Sequence, residues 1–445
     1  MSEGGLEAPS RHPLDWQNPD FYDEAKIDAE MRRVFDICHG CRRCFNLCDS
    51  FPRLFDLVDT SPKGEVETVE SKDFKSVVDA CTLCDMCFMT KCPYVPPHEF
   101  HLDFPHLMLR YRAAEAKRGE LKLADRELAR TDRNGRLARF IAPLANWATN
   151  RNHQWIRGLL ERWIGLDRQA VLPKYQARTF EDLGETTAPE IDHEAPARGR
   201  KAVLFATCFV DYNEPDIGLA ARAVLARNGV ETEIIYPQCC GMPLLEQGRI
   251  AEVAQAATTV AAALRSWIDK GYDIIALVPS CALMLKFEWP LIVPEDCNVA
   301  ALAKATFDLS EYVVDIARKE GLAPGLAPVA SGGVALHVSC HSRAQNMGQK
   351  ARDMLKLIPN TDLQVIERCS GHGGSWGFKK ANFATALKVG TPVAKQVAKS
   401  GKAVVSSECP LAGAHIAQEL EKEGGQVPRR VGHPIEILAQ AYGLR

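Results

Sequence analysis

The C-terminal half of the chain alternates short apolar runs with longer amphipathic stretches. Residues 202–208, 231–236 and 273–278 have the length and content of buried strands, while 214–228 and 245–269 have the spacing of helices. The order then recurs: 334–338 and 363–367 are strand-like, 344–357 and 379–399 helix-like, and 403–406 is again strand-like. Short strands alternating with helices predict a parallel α/β sheet, and the repeated order predicts an internal duplication. Upstream, 26–37 reads as a helix, 49–72 as a polar stretch and about 104–165 as a long helical region.

The pattern predicts six segments: a polar, poorly ordered lead-in over 1–25, a first domain over 26–103, a helical connector over 104–180, a linker over 181–200, and two repeats over 201–325 and 326–445. The linker expectation rests on acidic residues, Pro189 and Pro196, and the lack of an apolar period. In the connector, Trp155, Ile156, Leu159, Leu160, Trp163 and Ile164 share one helical face, extended by Phe140, Ile141, Leu144 and Trp147, with Arg151, Arg157, Arg162 and Arg168 nearby. Such a stripe is expected to pack on the protein's own core or on a partner subunit; lying in a membrane interface is the second reading.

Composition narrows the class. The 445 residues carry a formal net charge of -3, with 25% charged and 46% hydrophobic residues, which fits a globular chain and gives no general argument for nucleic acid. Charge is uneven, with 16 Lys/Arg against 8 Asp/Glu over 101–180. No apolar run has the length of a membrane span, and no signal peptide is read at the N-terminus. The expected location is cytoplasmic, with peripheral contact at the inner face of the cytoplasmic membrane as the alternative. No G-x-G-x-x-G follows a strand and there is no Walker A loop, so the chain is expected to carry no flavin or nicotinamide of its own.

The cysteines carry the chemistry. Eight of sixteen lie between Cys38 and Cys92, and in a reducing compartment such clustering points to metal or redox work. Cys38, Cys41 and Cys44 follow one another at two-residue gaps and are followed by Cys48; Cys81, Cys84 and Cys87 repeat the triplet and are followed by Cys92-Pro93. Short gaps aim three thiolates at one point, as three corners of a [4Fe–4S] cube require. Zinc usually takes its ligands in two pairs, and plain buried thiols need no spacing. Phe45, Leu47, Met86, Phe88 and Met89 are placed to shield such cubes, and His39, Arg42 and Arg43 to form a charged outer face.

This arrangement resembles the bacterial two-cluster ferredoxins. The resemblance implies one cluster on Cys38, Cys41, Cys44 and Cys92, and a second on Cys81, Cys84, Cys87 and Cys48. The remaining cysteines fall at the predicted strand ends. Cys208, Gln238-Cys239-Cys240-Gly241 and Pro279-Ser280-Cys281 resemble the CCG domain of heterodisulfide reductases and related iron–sulfur subunits. Cys340, Cys369-Ser370-Gly371 and Cys409-Pro410 form a second copy. The Gly-rich run ending Gly377-Phe378-Lys379-Lys380, with the N-terminal module, is most similar to the iron–sulfur subunits of anaerobic glycerol-3-phosphate dehydrogenases.

Three departures limit what the resemblance implies. Both copies lack a final Cys-x-x-Cys, and Ser370 replaces one cysteine of the second doublet. The first copy offers Cys208, Cys239, Cys240 and Cys281, enough for one further iron–sulfur cluster or a zinc. The second offers Cys340, Cys369 and Cys409, with His341 or His372 as a fourth ligand; a smaller cluster, zinc or nothing are its alternatives. Cys297 stands outside the pattern and reads as a structural thiol. The resulting expectation is an α+α/β protein, a helical ferredoxin-like domain followed by a duplicated CCG module. It would relay single electrons between an oxidoreductase partner, a flavoprotein dehydrogenase first, and a quinone or other acceptor. The alternatives are a disulfide-reductase-like catalyst and a donor to a rubrerythrin-type diiron protein.

Overall fold

A computed structural model describes residues 7–329, 332–425 and 431–444. Two parallel sheets form the C-terminal half. In the first, β1 (Lys201–Phe205) is flanked by β2 (Glu231–Ile235) and β3 (Asp273–Ala276), with β4 (Thr306–Asp308) beyond β3. In the second, β5 (Val334–His337) lies between β6 (Leu363–Ile366) and β7 (Val404–Ser407). Registers correspond: Val203 pairs with Glu233 and Ile274, Leu336 with Val365 and Ser406. The place of β4 is taken by a single parallel bridge from Ser406 to Gly432. Each sheet is closed by a helix whose first turn carries a capping box, Asp308 with Glu311 and His433 with Glu436. The chain is thus a mixed helical and parallel-sheet protein with a duplicated α/β half.

All four residues Ala202 to Phe205 are buried, since helices cover both faces of a parallel sheet. The N-terminal unit is helical. Glu24–Cys41 packs against Phe104–Arg118 and Ser50–Asp59 around Met31, Phe35, Phe51, Leu54, Phe55 and Met108. Burying each such side chain contributes roughly 1.5–3 kcal/mol.

Four expectations are corrected. The segment 49–72 is not merely polar, because Phe51, Leu54, Phe55 and Val58 give Ser50–Asp59 a buried face. The lead-in is docked from residue 7 onward. Arg11 reaches Asp85, Asp103 and Glu288 at 2.7, 2.9 and 2.9 Å, and Trp16 donates to the Ile292 carbonyl at 2.7 Å. The segment 181–200 is not a free linker: Phe180–Thr186 is a helix packed on Pro215–Arg227, Ala195 and Ala197 are buried, and Asp192 pairs with Arg227 at 2.8 Å.

The fourth correction concerns the connector, which is a series of short helices ending with Gln154–Trp163. Its apolar stripe does not pack on the protein's own core. Phe140, Trp155 and Trp163 are 77%, 68% and 75% exposed, while Arg157 on the opposite face is fully buried. The guanidinium of Arg157 donates to the carbonyls of Thr149, Asp167 and Ala170, so the helix turns its polar face inward. No helix of the described residues is long and apolar enough to cross a membrane.

Candidate redox centres

Helix Glu24–Cys41 sets Cys38 and Cys41 on its last turn, three residues apart and so on one face. Arg42 ends the helix in the left-handed region (φ 52°), and its N–H bonds the Cys38 carbonyl at 2.8 Å. That turn swings Cys44 back. Cys92 arrives from the end of Met86–Thr90, its N–H on the Cys87 carbonyl at 2.8 Å. Cys38, Cys41, Cys44 and Cys92 line one cavity of about 20 Å³, walled by Ile37, Phe51, Phe55 and Leu102. Burial pushes the Cys44 thiol up to about 12 and Cys92 to about 11. Four soft sulfur donors in an apolar enclosure, costly to ionise without a nearby cation, fit an iron–sulfur cube and do not suit a hard cation. At its edge, His39 and Arg42 pair with Asp59, and Phe45 is exposed but stacked on Phe55.

The second set is built by a loop with two left-handed residues, Leu83 (φ 49°) and Asp85 (φ 62°). Such backbone costs of order 1–3 kcal/mol per residue. It aims the N–H of Leu83 at the Cys81 sulfur and that of Met86 at the Cys84 sulfur. Cys48 sits at the start of Ser50–Asp59, facing the N–H groups of Ser50 and Phe51. Cys84 and Cys81 push the Cys48 thiol up, and Cys84, Cys81, Cys48 and Cys44 push Cys87 up, so these sulfurs face one another. Burial pushes Cys84 up to about 12, with Cys369 of the second repeat adding to the shift. Arg112 fastens the loop, donating to the carbonyls of Val78, Cys81 and Glu246.

In the first repeat Cys208 follows β1, Cys239 and Cys240 follow β2, and Cys281 follows β3, all at carboxyl ends of strands. Open α/β sheets place ligands at those ends. Cys239 Sγ lies 3.7 Å from Cys208 Sγ, and Cys240 Sγ 3.2 Å from Cys281 Sγ. Thiol hydrogen bonds from Cys208 and Cys240 pull Cys239 down, while the same contacts and burial push Cys208 and Cys240 up. Sequence reasoning missed the lid over this set. Thr131 faces the Cys239 sulfur, and Asp132 accepts the Cys239 N–H at 2.7 Å and the Tyr236 hydroxyl. A polar pair at a helix start within a basic stretch carries no signal of such a partner.

In the second repeat Cys340, Cys369 and Cys409 follow β5, β6 and β7. The histidines separate. His372 Nε2 lies 3.6 Å from Cys409 Sγ, and its Nδ1 accepts the Gly374 N–H at 2.9 Å. His341 turns to the first repeat, with Nδ1 at 2.7 Å from Ser280 Oγ and Nε2 without a hydrogen-bond partner. Ser370 is buried. Cys297 is exposed at the start of Cys297–Ala305, apart from every set, so it is not a packed structural thiol.

Two thiolates on one zinc stand about 3.8 Å apart, given Zn–S near 2.3 Å. Among the described residues no group of three or more His, Cys, Asp or Glu converges closely enough to clasp a single ion. The two sulfur pairs of repeat one, at 3.7 and 3.2 Å, have about that spacing, so this set suits a zinc as well as a cluster. The sets also adjoin one another. Cys84 neighbours Cys340 and Cys369, and Cys409 neighbours Cys281. The spatial order is the first N-terminal set, the second, then repeat two, then repeat one.

Comparison with known proteins is consistent with this architecture. The cysteine-rich domain model (CCG) matches residues 202–286 and 334–417. The chain is 29% identical over 320 residues to the C component of the anaerobic glycerol-3-phosphate dehydrogenase of Escherichia coli, covering 71% of this chain and 76% of that one. It is 31% identical over 290 residues to the B component of the fumarate reductase (CoM/CoB) of Methanothermobacter marburgensis, 62% of this chain and 55% of that one. It is 31% identical over 188 residues to lactate utilization protein A of Bacillus pumilus, 40% of this chain and 75% of that one.

Proposed function

We propose that this chain, which belongs to the CCG cysteine-rich-domain family, is an electron-transfer subunit that relays single electrons through two [4Fe–4S] clusters for a partner oxidoreductase. The observation that carries the reading is the row of four adjoining cysteine sets, running from the N-terminal unit through repeat two to repeat one. Cys38, Cys41, Cys44 and Cys92 would hold one cluster and Cys48, Cys81, Cys84 and Cys87 the other, in a ferredoxin-like module. When bound, each cluster gains and loses one electron at a time at a potential set by its surroundings.

The chain's own groups set those surroundings. Backbone N–H groups aimed at Cys48, Cys81, Cys84 and Cys92 stabilise negative charge on sulfur. Phe51 and Phe55 wall the cavity of Cys38, Cys41, Cys44 and Cys92 against water. A partner is part of the reading because two relatives are named as subunits, one of a dehydrogenase and one of a reductase. A flavoprotein dehydrogenase is the partner we favour, with a quinone or another carrier as acceptor. The exposed stripe of the connector favours peripheral contact at the inner face of the cytoplasmic membrane.

The test is iron, sulfide and zinc analysis with EPR on anaerobically purified protein. About eight irons per chain are expected from two cubes, and about twelve if a repeat also holds a cluster. Fewer than four would sink the two-cluster reading.

A further inference from the structure

Between the N-terminal unit and the second repeat lies a cleft of about 470 Å³. Cys48 and Cys84 line it from one side, and Cys340 and Cys369 from the other. The cavity bounded by the first four cysteines measures only about 20 Å³. The cleft extends beyond its cysteines to Phe45, Arg368, Lys388 and Val389, and its volume falls in the roughly 300–1,000 Å³ range of small-molecule sites.

Its lining defines the ligand chemistry. Phe45, Leu47 and Val389 supply an apolar wall. Lys91, Arg343, Arg368 and Lys388 also line it, against two carboxylates, Asp49 and Glu367. Both carboxylates are already engaged, Asp49 by Arg53 at 2.5 Å and Glu367 by Arg343 at 3.4 Å. Lys91, Arg368 and Lys388 form no ion pair with a described residue, and all three are exposed. Lys91 and Arg343 act as counter-charges to the Cys44 and Cys369 sulfurs, which leaves Arg368 and Lys388 as the cations of the cleft that pair with no described residue. They are well placed to draw a soluble anion into the cleft.

We propose that this cleft binds a small organic anion with an apolar body, seated beside the cysteines of the second N-terminal set and of repeat two. The apolar body lies along the Phe45–Val389 wall, and the anionic group meets Arg368 and Lys388. The significance of the site as a place of electron exchange rests on the cluster reading above; the binding itself does not.

The probe is anthraquinone-2-sulfonate, with neutral 2-(hydroxymethyl)anthraquinone as its uncharged counterpart, titrated calorimetrically into the full metal-replete chain under anaerobic conditions. One site is expected, binding the sulfonate about tenfold more tightly than the neutral ring and weakening as salt is raised. Lys388→Glu, on a helix that carries none of the cysteines, should weaken the sulfonate about tenfold, and Arg368→Gln should weaken it in the same sense. Equal affinity for the two probes, or sulfonate binding unchanged in both variants, would overturn the proposal. So would loss of binding in Trp155→Ala/Trp163→Ala protein, which would move the site to the connector. Iron content is measured on every sample. Low iron in the unmodified chain counts against the cluster reading, whereas undiminished binding by iron-replete Lys388→Glu protein counts against this cleft.

Discussion

Arg11 shows how much a single side chain organises. Its guanidinium is nearly buried and joins Asp85, between two cysteines of the second set, to Asp103 and to Glu288 of the first repeat. Phe88 lies under the same guanidinium, 4.4 Å from the ring centre. Burial alone would raise Glu288, but His106 and Arg11 outweigh it and hold the carboxyl down at about 2. A carboxylate depressed in this way stabilises the fold above its unfolded value near 4.3, and the contribution is lost as pH falls from there toward 2. Arg11→Met leaves buried carboxylates without their cation and is expected to cost about 3–5 kcal/mol. Thermal melts of the metal-replete protein should show a transition several degrees lower near pH 7, with the gap to the unmodified protein narrowing as pH falls from about 4.3 toward 2. An unchanged melting curve from pH 4 to 7 would refute the role given to Arg11.

Among the elements, the Gly-rich loop after Cys369 has the narrowest tolerance. Gly371 has φ 82°, and a Cβ there would lie 2.1 Å from the Ala386 carbonyl oxygen. Gly373 approaches Thr82 of the second cysteine loop, and Gly374 approaches Glu246 of the first repeat. Trp376 donates to the Asp79 carbonyl at 2.9 Å across the same junction. The loop thus holds the N-terminal unit against both repeats. Gly371→Ala combines left-handed strain with a backbone clash and is expected to cost about 2–4 kcal/mol. It should also alter EPR signals that depend on Cys369 and the adjoining Cys84. Gly64→Ala has φ 69° but open space around it, so it should cost about 1 kcal/mol and leave the spectra unchanged. Equal effects in the two variants would show that backbone strain alone matters.

At the scale of the molecule, the connector is inverted relative to an ordinary surface helix. Arg157 and Glu161 are buried, while Trp155, Leu159 and Trp163 face outward. Exposed tryptophans beside arginines suit a lipid headgroup boundary. The chain should sediment with vesicles containing phosphatidylglycerol, and Trp155→Ala/Trp163→Ala should weaken this about tenfold. Sedimentation independent of those tryptophans would remove the membrane reading and leave a protein partner. Helix Gln154–Trp163 and the turn after it are tied to the second repeat, through the Leu166–Lys379 bridge and Arg151 on Glu421 at 2.7 Å, so whatever covers the stripe stands beside that repeat.

The strands around Cys208, Cys239, Cys281, Cys340, Cys369 and Cys409 were legible because period, β-branched content and turn residues are local properties of the chain. The two-residue gaps of Cys38–Cys44 and Cys81–Cys87 are local in the same way, so the sequence determined the duplicated sheet half and two cysteine triplets. The docking of Arg11 and the lid formed by Thr131 and Asp132 join residues far apart in the chain, and neither end carries a mark of its partner. Whether the stripe packs on the chain's own core or faces outward was not legible, because a helix's period shows that it has an apolar face but not which way that face turns. Only the tertiary structure decided that repeat two, with fewer cysteines, lies beside the second N-terminal set. That order depends on how the two halves dock, through the Gly-rich loop, the buried charges around Glu288 and the close approach of Gly248 to Ala113, and docking is a property of surfaces assembled from distant residues.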